Sequence, residues 1–287
     1  MPERRFVVIG ARGQLGQEFL RVLGERAVGL DRSELELGHG VEALARVLAP
    51  LRPAAIINAS AFNQVDAAES QRRAALAANA VGPGELAQLC AQRDWPLLHF
   101  GTDYVFGADG LTRPRTEADP PAPVNFYGYS KLVGETAVLR AHPRALAVRV
   151  AHLFGGHSLA AGRANLVERF VELARQGKPI YATRGQVLNP TSVIDLVPRC
   201  LELLDRQGYG LFHLTGEGTC TATEFAAEIL RLVRLNTAIV EVDQDARPAR
   251  RSHYTALENR RWNDSGAVPM PHWRESLARY LSQPQFT

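Results

Sequence analysis

The stretch that most constrains the fold is a short apolar segment that runs directly into closely spaced glycines. Residues 5–10, "RFVVIG", are typical of a buried parallel strand. The next residues, "GARGQLG" from Gly10 to Gly16, lead into a segment with a helical period of apolar residues. Glycines between a strand and a helix allow a tight turn and a close approach of the backbone to a phosphate. A chain with this stretch is expected to build a sheet covered by helices.

Strand-like and helical segments alternate through the first half of the chain. Further strands are predicted at 27–31, 54–60, 96–102 and 145–155, and helices at 14–26, 41–51, 65–93 and 127–141. This alternation predicts an α/β fold with a Rossmann-type, doubly wound parallel sheet. After residue 155 the alternation loosens. We therefore expect a dinucleotide-binding domain at 1–155, to which segments around 190–215 return, and a smaller interwoven lobe at 156–287.

The composition excludes several classes of protein. Hydrophobic residues make up 46% of the 287 and charged residues 22%, as in ordinary globular proteins, and no run of about 18 apolar residues is present to span a membrane. The net charge of +3 is too small to indicate a nucleic-acid partner. Three widely spaced cysteines (Cys90, Cys200 and Cys220) fit a reducing cytoplasm, and the scattered histidines show no metal-binding spacing. The first residues lack a signal-peptide cleavage pattern. Together with the cysteines and histidines, this predicts a cytoplasmic protein that binds no metal.

The glycine turn is a candidate nucleotide site. Its spacing is GxxGxxG and not the simplest GxGxxG, and taken alone such a turn is equally well explained as a plain connection between strand and helix. Asp31 ends the second predicted strand, about 20 residues on, where a carboxylate accepts the ribose 2′-hydroxyl of an adenine nucleotide. Arg32 next to it, or Arg12 within the turn, would instead meet the 2′-phosphate of NADP. The residues therefore predict a dinucleotide cofactor and leave NADH against NADPH open.

A tyrosine, a lysine and a threonine form a candidate catalytic set. In "NFYGYSKLVGE", Lys131 follows Tyr127 by four residues, so a helix places both on one face, whereas Tyr129 points elsewhere. A neighbouring ammonium lowers the pKa of a phenol from about 10, which favours Tyr127 as proton donor to a carbonyl that receives hydride. Thr102 ends the fourth predicted strand, where open α/β sheets bind ligands, and its hydroxyl would reach the same carbonyl. Taken singly, YxxxK also arises by chance on exposed helices, and Thr102 would equally cap a turn.

The order of these motifs along the chain is similar to that in the extended short-chain dehydrogenase/reductases. Within that group the chain resembles the dTDP-4-dehydrorhamnose reductase family over nearly its whole length. The stretches that carry the resemblance are "GARGQLGQEF", "GLDRSELEL", "INASAFNQVDAAES", "GTDYVFG", "FYGYSKLVGE", "NPTSVIDL", "TEFAAEIL" and "HWRESLARYL". The combination of TDYVF with YGxSKxxGE is much narrower than YxxxK alone.

The resemblance implies a role for each matched position. Together with the residues named above, these positions form a catalytic set, a cofactor-binding set and a substrate-binding set. The catalytic set is Thr102, Tyr127 and Lys131. NADPH or NADH would be held by Gly10, Arg12, Gly13, Gln14, Leu15, Gly16, Asp31, Arg32, Glu36, Leu37, Ala59, Ser60, Ala61, Phe62, Asn63, Tyr127 and Lys131. The substrate, bound mainly by the lobe at 156–287, would contact Val65, Thr102, Asp103, Tyr104, Tyr127, His152 and Arg251. The implied reaction is hydride transfer to C4 of dTDP-4-dehydro-L-rhamnose, giving dTDP-L-rhamnose, with the proton from Tyr127.

Some positions depart from the family pattern, all on the substrate side. Gly101 stands where a serine is usual, His152 where a tryptophan packs on the sugar, and Asn189 where a glycine is usual. His152 would hydrogen-bond a sugar hydroxyl or phosphate, or it would be a partly buried histidine at a strand end. A different sugar nucleotide or another carbonyl compound therefore remains open as the substrate. A non-catalytic, regulatory NADP-binding protein is a third reading, which the intact catalytic set opposes.

Three further features allow alternative interpretations. Arginines in "DARPARRSHY" (245–254) would clamp a diphosphate, with Arg251 the preferred candidate, or would lie on a solvated loop. Glu18 matches a position that binds Mg²⁺ at a dimer interface in some members of the family, but no full ligand set accompanies it, so no metal is predicted. A homodimer remains open. The loop 107–124, rich in proline, glycine and charge, is expected to be functional or mobile.

Overall fold

The predicted alternation of strands and helices is present in the computed structural model, which describes residues 5–156, 164–243 and 247–286. The strands are β1 (Phe6–Ile9), β2 (Ala27–Leu30), β3 (Ile56–Asn58), β4 (Leu97–Thr102), β5 (Ala145–Val150), β6 (Leu153–Phe154), β7 (Ile180–Thr183), β8 (Val187–Leu188), β9 (Thr191–Ser192), β10 (Gly210–His213), β11 (Cys220–Thr221) and β12 (Ile239–Val242). All five strands predicted before residue 155 are among them, each within the predicted range.

The helices follow the strands in the expected order. They are α1 (Gln14–Leu23), α2 (Val41–Leu48), α3 (Val65–Ser70), α4 (Arg72–Leu76), α5 (Gly82–Arg93), α6 (Phe126–Ala141), α7 (Leu166–Arg175), α8 (Val193–Asp205), α9 (Ala222–Val233), α10 (Arg260–Asp264) and α11 (Trp273–Leu281). The long helical stretch predicted at 65–93 is divided into α3, α4, a π-helical turn at Ala77–Val81, and α5. A π-helical turn of this kind often marks a functional site.

Six strands form the central sheet in the order β2–β1–β3–β4–β5–β10, with every neighbouring pair parallel. The chain direction across the sheet reverses at β1, which lies between β2 and β3. In such a sheet, ligands bind outside the carboxyl ends of the strands at the point of reversal. The doubly wound α/β fold predicted from the sequence is therefore confirmed.

Both faces of the sheet are covered, which explains why its strands are continuous apolar runs. Val8 and Leu98 face one core with α1 and α8, whereas Val7 and Leu97 face the other core with α2 and α5. Successive side chains of one strand point to opposite faces, so each strand supplies both cores. The rigid three-layer unit that results holds the loops at the carboxyl ends of the strands.

A third core lies outside the central sheet, among α7, α9, α11 and β7, with Phe225 and Trp273 buried in it. β7 pairs in parallel with β12, and β8 pairs antiparallel with β11. The segments around 190–215 lie with the first unit, since α8 packs on α1 and β10 extends the sheet. Trp262 also joins the core of the first unit, from a part of the chain where no return was predicted. The division at residue 155 stays a prediction.

The helices in the described ranges are either too short or too polar to cross a membrane.

Candidate active site

The glycine turn lies where β1 ends and α1 begins. Gly10 has φ +84, and a Cβ there would lie 2.7 Å from the backbone nitrogen of Ser60. A Cβ on Gly16 would overlap the carbonyl oxygen of Gly10. Both positions therefore require glycine, one for its backbone conformation and both for close approach. No acidic side chain lies in the first turn of α1 and none caps its N-terminus, so the free N–H groups suit a pyrophosphate.

Two arginines and two carboxylates form the edge of the site beside β2. The guanidinium of Arg12, 81% exposed, lies 2.5 Å from Asp31, and the exposed Arg32 pairs with Glu36. Hydrogen bonds from Ser33 lower the pKa of the Asp31 carboxyl, and Arg12 adds to this. Asp31 is thus ionised and able to accept a ribose hydroxyl. Either arginine is free to turn toward a 2′-phosphate, so the geometry suits NADH and NADPH alike.

The loop after β3, residues 59–63, faces the glycine turn. Ser60 donates both its backbone N–H and its hydroxyl to Asn58, at 3.2 and 2.6 Å. Phe62 is held from the other side, since its N–H donates to Asn79 at 2.8 Å and its carbonyl accepts from Asn79 at 3.0 Å. Ala61 and Asn63 are exposed in the same loop. The loop predicted to lie under the cofactor is therefore fixed at two points.

Asn79 is a site residue that the sequence reasoning missed. It is fully buried in the π-helical turn, and its amide also donates to the Ser130 hydroxyl at 3.0 Å. Ser130 in turn donates to the carbonyl of Tyr127 at 2.8 Å. Asn79 thus ties the cofactor loop to the helix that carries the candidate acid. Its only sequence signal is an asparagine within an alanine-rich helical stretch, where a buried position is normally apolar.

The candidate catalytic helix is α6, which starts beside the end of β4. Asn125 caps it by accepting the N–H of Gly128 at 2.8 Å. A Cβ on Gly128 would overlap the carbonyl oxygen of Tyr104, so the first turn of α6 packs directly on the turn that follows Thr102. The rings of Tyr104 and Tyr127 meet edge to face at 5.7 Å. The structure therefore places Tyr127 next to Thr102 at the carboxyl edge of the sheet.

The three candidate catalytic side chains differ in their surroundings. Thr102 and Lys131 are buried and Tyr127 is half-buried, whereas Tyr129 is 49% exposed. Burial lowers the pKa of Lys131 from 10.5 to about 8, although the nearby Glu135 raises it. Burial raises the pKa of the Tyr127 phenol, and hydrogen bonding with Thr102 opposes this shift. The expected lowering of the Tyr127 pKa by Lys131 is wrong for this arrangement, because burial dominates and keeps the phenol protonated.

A buried ion pair supports α6 from below. Arg149 on β5 donates two hydrogen bonds to Glu135, at 2.8 and 2.7 Å, and both side chains are almost fully buried. A Cβ on Gly101 would lie 2.8 Å from a Glu135 oxygen and 2.9 Å from the Arg149 side chain. The absence of a side chain at Gly101 therefore makes room for the pair. The departure at this position concerns packing beneath the site and not a contact with substrate.

The substrate-side positions lie around Tyr104. His152 follows β5 with φ +43, and its ring centre is 6.5 Å from that of Tyr104. Asp103 is buried, with one oxygen 3.7 Å from Nδ1 of His152. Val65 is half-buried at the start of α3. Tyr104, Asp103 and His152 thus lie together beside Tyr127, and the contact of these positions with a substrate stays a prediction.

Comparison with known proteins shows the family to which the chain belongs. Residues 4–286 match the family model described as the RmlD substrate binding domain. The chain belongs to this family. It is 35% identical to a dTDP-4-dehydrorhamnose reductase of Streptomyces griseus, over 96% of this chain and 92% of the relative. It is 33% identical to a dTDP-4-keto-6-deoxy-D-glucose reductase of Streptomyces niveus, over 96% of each chain.

A solved structure of the same kind is also similar throughout. It is a dTDP-4-dehydrorhamnose reductase from Bacillus anthracis in complex with NADP, which superposes with a TM-score of 0.91 at 29% identity. The superposition covers 98% of this chain and 99% of that one. Membership of the RmlD family therefore extends over both lobes.

The Arg251 side chain is paired with a carboxylate and is therefore not free to bind a phosphate. It is 7% exposed, and its two terminal nitrogens bind the carboxylate of Asp66 at 2.9 and 3.0 Å. One of them also donates to the carbonyl of Ala249 at 2.6 Å. This pair joins the second lobe to α3. Arg247 and Arg250 are exposed nearby and make no ion pair within the described ranges, so they fit the diphosphate role better.

Asn189 acts within the second lobe. Its amide donates to the carbonyl of Gly218 at 2.8 Å, and its oxygen accepts the N–H of Leu257 at 2.7 Å. Asn189 is 3% exposed. The side chain therefore fastens two backbone segments to each other, and the expectation of a substrate-side change at this position is not supported by its contacts.

The loop 107–124 is anchored by its own charges. Arg115 is fully buried, binds Asp109 at 2.5 Å and donates to the carbonyl of Arg113 at 2.7 Å. The backbone of Arg115 exchanges hydrogen bonds with Ala256 and Glu258, at 2.9 and 2.8 Å. These bonds fix the middle of the loop against the second lobe, so the expected mobility would be confined to its exposed tip.

Glu18 is engaged in an ion pair. It is buried, and Arg21 binds it with three contacts between 2.6 and 3.1 Å. Both residues line a cavity of about 240 Å³ with Gly156, Ile194 and Gln283. In the parts of the chain that the structure describes, no group of three or more His, Cys, Asp or Glu side chains could hold a metal ion.

Proposed function

We propose that the chain is a reductase that uses NADPH or NADH to reduce the 4-keto group of a dTDP-activated deoxysugar. The favoured substrate is dTDP-4-dehydro-L-rhamnose, and the product is dTDP-L-rhamnose. One observation carries the proposal: Tyr127 hydrogen-bonds with Thr102 at the carboxyl edge of the sheet, Lys131 follows one helical turn later on α6, and the glycine turn has room for a pyrophosphate. The names of the Streptomyces griseus relative and the Bacillus anthracis structure support the same substrate.

Each side chain has a defined task in this reaction. The reduced nicotinamide, when bound, supplies the hydride to C4. Tyr127 then donates its proton to the carbonyl oxygen, which develops negative charge. Thr102 positions that oxygen by a hydrogen bond, and a polarised donor of this kind stabilises the developing charge. Lys131 orients the cofactor ribose and, as an ammonium, stabilises the phenolate that remains on Tyr127.

A different sugar nucleotide is the second candidate substrate. The observation that favours it is His152, a polar side chain in the pocket beside Tyr104 where the resemblance leads one to expect tryptophan. An imidazole offers a smaller and more polar face than an indole, which changes which sugar ring packs there. Relatives at similar identity carry names with other sugars, such as the dTDP-4-keto-6-deoxy-D-glucose reductase of Streptomyces niveus.

The test measures oxidation of NADPH and of NADH, detected as a loss of absorbance. Each of the two keto sugars named above is offered in a separate reaction. We expect rapid oxidation with dTDP-4-dehydro-L-rhamnose and dTDP-L-rhamnose as product. Oxidation only with the second sugar would move the proposal to that substrate. Cofactor binding without reduction of either sugar would contradict the proposal, and absence of cofactor binding would contradict the interpretation of the glycine turn.

We further propose that the protein works in the cytoplasm, since its cysteines (Cys90, Cys200 and Cys220) are free and buried. The oligomeric state, including a homodimer, is to be measured by light scattering.

A further inference from the structure

Two buried polar atoms face each other beside the candidate active site. Nδ1 of His152 and Oδ2 of Asp103 are 3.7 Å apart, which is too long for a hydrogen bond. Within the described ranges neither atom makes a hydrogen bond of good geometry, although the Thr255 hydroxyl lies close enough to the Asp103 carboxyl to lower its pKa by hydrogen bonding. Buried polar groups are nearly always paired, so this arrangement calls for a physical explanation. A shift of less than one ångström would bring the two atoms into a charge-assisted hydrogen bond.

The second oxygen of Asp103 connects the pair to the catalytic set. The Thr102 hydroxyl donates to Oδ1 of Asp103 at 3.1 Å and accepts the N–H of Tyr104 at 3.2 Å. A threonine hydroxyl has a single hydrogen. While that hydrogen points to Asp103, Thr102 can only accept from Tyr127 and cannot donate to the substrate carbonyl. If Asp103 is protonated on Oδ2, the oxygen that faces His152, the carboxyl group is neutral and Oδ1 is a weaker acceptor, so the Thr102 hydrogen is released.

Few other charges act on the pair. Burial raises the pKa of Asp103 and lowers that of His152, while each group opposes this shift in the other. From the end of β4, Tyr104 faces Asp103, and burial raises the pKa of its phenol.

Polar groups from other elements complete the surroundings. Tyr127 faces the pair from α6, and Thr255 lies beside Asp103 from the second lobe. The same lobe contributes Arg247 and Arg251, which act on Tyr104 and not on His152. His152 is thus the one group close to Asp103, in the described part of the site, that can take up a proton and become a cation.

We propose that Asp103 and His152 share one proton, and that the position of this proton sets the direction of the Thr102 hydroxyl. Both are then positioning residues, and the inference rests on the function proposed above. With the proton on Asp103, Thr102 donates to the carbonyl oxygen and Tyr127 keeps its own hydrogen for that oxygen. When the proton is lost at higher pH, Asp103 is a carboxylate that draws the Thr102 hydrogen away, and reduction slows.

The first test is the pH dependence of kcat in three variants. In the unaltered chain kcat should fall about tenfold as pH rises through one ionisation, whereas KM for NADPH stays constant. Asp103→Asn should lose this fall, because its amide donates to Thr102 at every pH. His152→Phe should move the fall to higher pH, since a lone buried carboxyl holds its proton more tightly. The double variant should behave as Asp103→Asn, because the two residues act as a unit.

His142→Gln is the matched control, a buried histidine that binds the carbonyl of Trp95 away from the site. Its pH profile should equal that of the unaltered chain. A fall at the same pH in Asp103→Asn as in the unaltered chain, or additive effects in the double variant, would overturn the proposal.

A second measurement needs no turnover. The His152 imidazole is titrated by NMR in the unaltered chain and in Asp103→Asn, and its pKa should be lower in the variant, because the carboxylate that favours the imidazolium is gone. An unchanged pKa would show that no proton is shared. If no variant oxidises NADPH with any sugar, the proposed function has failed, and this titration still decides whether the pair exists.

Discussion

Replacement of Lys131 by methionine should make the protein more stable and less active. The Lys131 side chain is 3% exposed, and none of the hydrogen bonds or ion pairs among the described residues holds its amine. A buried ammonium without a partner is unfavourable, whereas the similarly long methionine side chain suits such a site. Glu135, the one nearby carboxylate, keeps its two bonds to Arg149 in the variant. The substitution therefore removes a buried charge and leaves no other charge unpaired.

The size of the effect follows from the shift of the Lys131 pKa from 10.5 to about 8. Because the folded-state pKa is the lower one, the unfolded chain binds more protons between these two values. The free energy of unfolding therefore rises with pH across that window. Below the folded-state pKa the full penalty applies, about 3 kcal/mol at 1.36 kcal/mol per pKa unit. At pH 10 less than about 1 kcal/mol of the penalty remains.

Urea unfolding at pH 7 and at pH 10 measures the prediction. Lys131→Met should exceed the unaltered chain by about 3 kcal/mol at pH 7 and by about 1 kcal/mol at pH 10. Lys178→Met is the matched control, because Lys178 is the only other lysine and is exposed, so its effect should not depend on pH. Reductase activity should fall in Lys131→Met alone. A variant that is less stable at pH 7, or equally changed at both pH values, would refute the reasoning.

Three further substitutions have expected outcomes. Tyr127→Phe should lower turnover by about 10²–10⁴-fold, or 3–5 kcal/mol of barrier, with nearly unchanged cofactor affinity, whereas Tyr129→Phe should have little effect in the same assay. Gly101→Ser should lower the free energy of unfolding by about 1–3 kcal/mol in urea titrations, because its Cβ would enter the space of the buried ion pair. Arg12→Ala should weaken the binding of NADPH about tenfold, and that of NADH much less, in fluorescence titrations. An equal loss of affinity for both cofactors would place Asp31, and not Arg12, at the 2′ position.

The fold was accessible from sequence because its signals are local. Each strand of the first half is a short apolar run, and the glycines of the turn, Gly10 and Gly16, stand within six residues of each other directly after β1. The catalytic helix was equally visible, because Tyr127 and Lys131 are one helical turn apart. Patterns of this length contain the information that places a ligand at the carboxyl edge of the sheet.

The contacts that hold the site in place could not be predicted in the same way, because the residues that form them are far apart along the chain. Arg251 binds Asp66 across 185 residues, and Asn79 links Phe62 to Ser130. Before the fold is known, a buried arginine in a charged loop looks the same as a phosphate ligand. Shifts in pKa could not be predicted from the sequence either. The pKa of the Tyr127 phenol is raised by burial, which the spacing of residues along the chain does not show.

The choice of lysine at position 131 illustrates how function limits stability in this chain. Only two of the 33 lysine and arginine residues are lysines, and the buried ion pairs of Arg115, Arg149 and Arg251 all use the guanidinium fork. A guanidinium could not lose its charge or fit as a compact donor beneath a ribose, whereas an amine with a pKa of about 8 is poised to exchange a proton near neutrality. The penalty of about 3 kcal/mol is comparable to the loss expected from a large core truncation. A chain with 31 arginines and two lysines therefore has a lysine at a position where it destabilises the fold, as expected for a residue with the chemical role proposed above.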